Sequence, residues 1–147
     1  MPPETPPHVV RRNALLLAGS VLATFAVLRL ALSISPESDF SVGSYNVHHL
    51  FLGLLLITLG GVPLALFRGS TRRMDLALVV FGIGLAMALD EWVYLIATDG
   101  SNASYLLPVS FWGGVIVVGL ALAYAIGLVV YRAAVSERDA DGEGLRD

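Results

Sequence analysis

The chain has no cysteine and no lysine, and it is poor in charge of either sign. Without cysteine there is no disulfide, no thiolate metal site and no thiol chemistry. Without lysine every basic side chain is an arginine. Together with acidic tails and a net charge of −3, that fits a high-GC or salt-adapted prokaryote. Charged residues make up 14% of the chain, against roughly a quarter in soluble domains. Also missing are a P-loop, a Rossmann glycine pattern, a nucleophile elbow and an H-E-x-x-H helix. The familiar signatures of nucleotide, hydrolase and zinc-protease chemistry are therefore absent.

What is present is hydrophobic: 56% of the 147 residues, with a mean hydropathy of +0.75. These residues fall in four blocks, Asn13–Ile34, Val47–Phe67, Met74–Ala97 and Leu107–Tyr131. Each is close to the ~20 residues a helix needs to cross the hydrocarbon layer. The expected fold is all-α, an up-down-up-down transmembrane four-helix bundle over residues 13–131, leaving no room for a soluble domain. The first block follows Arg11-Arg12 but is too long for a signal-peptide core. Ser35-Pro36-Glu37 is also a poor cleavage site, so the block reads as a retained helix. Residues 1–12 read as a Pro-rich disordered tail and 132–147 as an acidic cytoplasmic tail, polar and disordered from Ser136.

Arginine placement gives the orientation. Arg11, Arg12, Arg68, Arg72, Arg73, Arg132, Arg138 and Arg146 all flank one set of helix ends. The opposite loops carry Glu37, Asp39 and Asp99 and no arginine. The positive-inside rule then puts both termini in the cytoplasm of a multi-pass cell-membrane protein. Trp92, Tyr94, Tyr105 and Trp112 form an aromatic belt toward the outer face. Ser70 or Thr71 can cap the third helix, and Asp75 suits its first turn. Pro108 suits the first turn of the fourth helix, and Pro63 lies inside the second. Gly119, Ala123 and Gly127 recur at packing spacing on the last helix. Tight packing explains that stripe, which also admits a homo-oligomer or another membrane partner. The lipid bilayer is the expected surrounding. No nucleic-acid partner is expected.

One polar cluster stands out. His48 and His49 open the second segment, and Asp90 and Glu91 lie near the end of the third. In a hairpin centred near residues 70 and 71, equal depth means residue numbers adding to about 140, because both helices rise ~1.5 Å per residue. His49/Glu91 and His48/Asp90 both meet that condition. The small-residue faces His49-Gly53-Leu56-Gly60 and Glu91-Ala88-Gly84 favour a His49–Glu91 contact, with His48 and Asp90 turned elsewhere. Tyr45 and Tyr94, one turn away, can join by hydrogen bonds. Arg29, the one arginine inside a span, lies at the same depth and is expected to be paired.

Three readings of the cluster compete. First comes a buried salt-bridge and hydrogen-bond network, with Arg29 alternatively snorkelling to the outer headgroups. Second is a divalent metal site. Two imidazoles and two carboxylates (His48, His49, Asp90, Glu91) suit zinc, iron or manganese. The Glu-x-x-His spacing of ferritin-like bundles is absent, however, and an arginine opposes a cation. Third is proton handling, which lacks ionisable groups in the inner half of any span. Asn102-Ala103-Ser104 is also a glycosylation sequon in the outer loop. The open choices are a structural or ligand-binding membrane component, with its ligand unknown, and a small membrane metalloprotein or metalloenzyme.

The segments His48-His49-Leu50-Phe51-Leu52-Gly53 and Gly82-Ile83-Gly84-Leu85-Ala86-Met87-Ala88-Leu89-Asp90-Glu91-Trp92 carry a resemblance. The chain resembles small uncharacterised prokaryotic integral membrane proteins with an HHxxxG helix and an LDE-aromatic helix. The resemblance covers roughly a third of the chain, its second and third helices. It implies a small multi-pass protein and draws attention to the same four residues, without supplying a reaction.

Overall fold

The computed structural model describes residues 6–35, 41–42, 45–46, 48–67 and 72–143. Four long helices dominate: α1 (Pro7–Ile34), α2 (His49–Leu66), α3 (Arg72–Ala97) and α5 (Pro108–Glu143). All four are long and apolar enough to cross a membrane, α5 over Pro108–Ser136. The α1–α2 connection holds a two-strand hairpin, which the all-α expectation does not include. Its strands, β1 (Ser41–Val42) and β2 (Tyr45–Asn46), pair antiparallel with Ser41 opposite Asn46 and Val42 opposite Tyr45. A one-turn helix, α4 (Asn102–Tyr105), precedes α5.

The helix ends differ from expectation for local reasons. Helix α1 starts at Pro7, with Pro6 before it, so part of the supposed N-terminal tail is helical. Proline fits there because the first turn has no use for its missing N–H. Helix α5 runs on to Glu143, where disorder was expected from Ser136. No proline follows Pro108 in that helix, and after Gly127 the next glycine is Gly142. Nothing therefore interrupts the i→i−4 ladder. The expected caps Ser70 and Thr71 lie outside the described residues. Pro63 sits inside α2, and its carbonyl accepts the Phe67 N–H that closes the helix.

Helix α3 is the hub. It packs against α1, α2 and α5, and it is the one substantial helix partner of α2 among the described residues. The α2–α3 seam is built from glycine. A Cβ on Gly53 would lie 2.8 Å from the Gly84 carbonyl oxygen, and one on Gly60 would lie 2.5 Å from the Phe81 nitrogen. Backbone therefore meets backbone, as small residues permit in lipid. These contacts make α2 antiparallel to α3. On the other side Val21, Ala86 and Val118 form a core shared by α1, α3 and α5, flanked by Leu17, Phe25, Leu85, Leu89 and Leu122. Outward, Leu22, Val27, Leu59, Ile116 and Leu120 are exposed, while Asp90 and Glu91 are buried. Apolar groups outside and charges inside is the arrangement a bilayer selects.

Candidate functional site

Asp90 and Glu91 are 0% and 2% exposed. Consecutive helical residues point ~100° apart, so the two carboxylates leave α3 toward different neighbours. Asp90 faces α1, α4 and α5. Its Oδ1 accepts Arg29 Nε at 2.7 Å and lies 2.6 Å from Nη2 of the same guanidinium. Its Oδ2 accepts the hydroxyl of Tyr105. Gly114 of α5 leaves the space for this pair. A Cβ there would lie 2.9 Å from both Arg29 Nη2 and Asp90 Oδ1.

Every guanidinium nitrogen of Arg29 has a partner. Besides the two contacts to Asp90, Nη2 donates to the Ser110 carbonyl at 3.0 Å, and Nη1 to the Tyr105 carbonyl and Ser110 Oγ, each at 3.5 Å. Four hydrogen bonds and one ion-pair contact thus engage all three guanidinium nitrogens. Three rings surround the guanidinium, with centroids at 4.8 Å (Tyr105), 5.5 Å (Phe25) and 5.6 Å (Phe111), in the range of cation–π attraction. The Arg29 side chain is 11% exposed. It turns into the bundle rather than snorkelling outward.

Glu91 faces α2. Its Oε2 accepts the backbone N–H of Leu50, and its Oε1 lies 2.8 Å from His48 Nδ1. An acceptor-only carboxylate makes Nδ1–H the donor. Leu50 is the second residue of α2, where N–H groups have no partner within the helix. His48 precedes α2 with extended backbone, and its side chain makes no capping hydrogen bond. Glu91 therefore caps α2 from another helix, and a carboxylate is the favourable group at that positive dipole end.

The expected His49–Glu91 contact is accordingly replaced by His48–Glu91. The depth argument stands, since His48 and Glu91 still satisfy the hairpin register to within one residue. The face argument fails because His48 lies outside the helix, where helical phase does not apply. Its extended backbone, φ −61° and ψ 143°, carries the imidazole to Glu91. His49 makes no hydrogen bond among the described residues. Asp90 does turn away from α2, as the spacing suggested.

The surrounding tyrosines divide. The side chain of Tyr45 lies outside the described residues. The buried ring of Tyr94 packs on Tyr105, centroids 4.7 Å apart. Tyr105, which the sequence pattern places only in the outer aromatic belt, is central here. Burial first, then the Asp90 charge and the bond to it, push its phenol well above the usual tyrosine range. Ser110 and Gly114 were also missed. A signal existed: an intramembrane arginine needs more acceptors than one carboxylate offers, and polar and glycine positions on the next helix can supply acceptors and space. The loop before α4 is tied by Thr98, Ser101 and Ser104 hydroxyls. Ser101 donates to Asp99 through its N–H and Oγ, which holds that exposed carboxyl below its ordinary value.

Among the described residues no group of three or more histidines and carboxylates is placed to hold a metal. His48 and Glu91 meet on one side of α3 and Asp90 on another, with Arg29 against it. No buried side-chain nitrogen or oxygen among the described residues lacks a partner. No family model matches the chain, and no curated protein or solved structure is similar to it.

Proposed function

We propose that the chain is an up-down-up-down four-span integral protein of the cell membrane, with both chain ends in the cytoplasm, and that its polar cluster is a structural clamp. The chain would then be a non-catalytic membrane component, with α3 as the element to which the rest is fastened. One observation carries this reading. All three guanidinium nitrogens of Arg29, and all four oxygens of Asp90 and Glu91, contact polar groups of the chain itself. Groups so engaged have little left for a substrate. In hydrocarbon, such saturation is what makes a buried charge tolerable. The orientation rests on the arginine asymmetry. It requires a reporter after Arg132 to be cytoplasmic and one near Asn102 to be external.

A second reading is a small metalloprotein holding zinc, iron or manganese at His48 and Glu91, with His49 and Asp90 recruited. It is favoured by the open side of the histidine pair. The His48 side chain is 32% exposed, and His49 keeps its nitrogens free of hydrogen bonds among the described residues. Elemental analysis of the full chain in detergent, with melting before and after chelation, separates the two. The clamp requires metal-free protein, melting unmoved by chelator, and strong destabilisation by Arg29→Ala. Stoichiometric metal, lost in His48→Ala and Glu91→Ala and stabilising the fold, would decide for the metalloprotein.

A further inference from the structure

We infer that Arg11 and Arg12 of α1, with Arg72 and Arg73 of α3, form a headgroup site for an anionic phospholipid. The inference rests on the membrane reading above and deepens it. Arg12 Nη2 lies 2.7 Å from Asp75 Oδ1, and Arg29 pairs with Asp90 further along the same two helices. Helices α1 and α3 therefore run in the same direction, and their N-terminal ends meet. Arg72 and Arg73 precede Asp75 by less than one turn, and Arg11 adjoins Arg12. Among the described residues, the N-terminal ends of α1 and α3 thus carry four arginines and one carboxylate, Asp75.

Depth selects the ligand. From Arg12 to Arg29 is seventeen residues of α1, about 26 Å at ~1.5 Å per residue. The hydrocarbon layer is ~30 Å thick. With Arg29 near one boundary, the Arg12–Asp75 pair lies at the other, at the level of lipid phosphates. Arg11, Arg72 and Arg73 are exposed and have no hydrogen-bond or ion-pair partner among the described residues. That is the opposite condition to Arg29. A guanidinium fork matches two phosphate oxygens. Zwitterionic lipids bring their own ammonium into a site that already has excess positive charge. A headgroup with net negative charge is preferred, and one with two phosphodiesters fits best.

The test uses the full chain in bilayer discs of phosphatidylcholine mixed with phosphatidylglycerol or cardiolipin, counting retained lipids by native mass spectrometry. Wild type should retain the anionic lipids preferentially. Arg72→Gln/Arg73→Gln leaves the Arg12–Asp75 pair intact and should lower that preference roughly fivefold per guanidinium removed. Arg138→Gln, beyond the α5 span, should leave it unchanged. Raising salt on the wild-type chain should weaken the preference in the same direction, a readout that needs no variant. Equal retention of both lipid classes by wild type, or a preference indifferent to salt and to the double substitution, overturns the site. Failure to enter discs of either composition overturns the membrane reading itself.

Discussion

Asp90 and Glu91 are adjacent, equally buried and chemically alike, yet the structure uses them differently. Asp90 meets a permanent cation from α1, a phenol from α4 and a guanidinium-sized gap in α5, all walled by aromatic rings. Glu91 meets a helix N-terminus and an imidazole that is partly open to its surroundings. Removing one member of a buried ion pair leaves a charge stranded in low dielectric. Removing a cap leaves backbone N–H groups near a helix end, where 3₁₀ bonds or water can take over. The lesson is that burial alone does not rank two carboxylates. The alternatives open to the partner left behind do.

That difference sets the largest expected effect. Asp90→Ala and Arg29→Ala should each destabilise the chain by about 3–5 kcal/mol, because each strands the other member of the pair. Glu91→Ala should cost about 1–2 kcal/mol, the range of a lost cap with one further hydrogen bond. Replacing both members of the ion pair, Arg29→Leu with Asp90→Leu, should cost less than either single change, since no charge remains to be stranded. Reversible unfolding in mixed micelles can order the variants. A Glu91→Ala variant as unstable as Asp90→Ala would break the comparison, and a double variant showing the sum of the singles would remove its physical basis.

Much of this was legible in the sequence, for reasons of period and length. Four apolar blocks fixed the four long helices. The glycine stripes of α2 and α3 were legible because close backbone approach in lipid requires small residues at a repeating interval, and Gly53, Gly60 and Gly84 do meet the opposing backbone. Equal depth of the histidines and carboxylates followed from rise per residue. What failed were inferences that carry helical phase past a helix end. His48 sits one residue outside α2, so its direction is set by an extended dihedral that no wheel describes. Tyr105 lies in a single-turn helix within a connection, and α4 has no periodicity to announce it. The C-terminal residues of α5 are polar, and polarity alone did not separate a solvated helix from a disordered tail.

The Asp90 side can be sharpened through its tyrosine. Tyr105→Phe removes a hydrogen bond to a charged acceptor and should cost about 1.5–3 kcal/mol at neutral pH. Its pH dependence is the more specific readout. Only the protonated phenol donates to Asp90, and the folded state holds Tyr105 above its ordinary value of 10.0. A group raised on folding contributes stability that is complete below the unfolded pKa and lost as pH rises toward the folded one. Wild type should therefore lose stability above about pH 10 more steeply than Tyr105→Phe, whose curve lacks that contribution. Parallel curves for the two proteins between pH 8 and 11 would show that Tyr105 does not couple to Asp90 in solution.

The smallest effect concerns the two histidines, and it tests the Glu91 side. His48 reaches Glu91 from outside the helix, whereas His49 makes no hydrogen bond among the described residues. His48→Ala should therefore cost about 1 kcal/mol, one hydrogen bond to a carboxylate that keeps the Leu50 N–H. His49→Ala, at a half-buried side chain outside the network, should change stability by about 0.5 kcal/mol or less. The cap supplies a further control. In Glu91→Ala the partner of His48 is already gone, so adding His48→Ala should cost almost nothing more, while the two histidines should become indistinguishable. The opposite order, with His49→Ala the more damaging, would mean that the helix starts one residue earlier in the membrane and that helical phase governs both imidazoles after all.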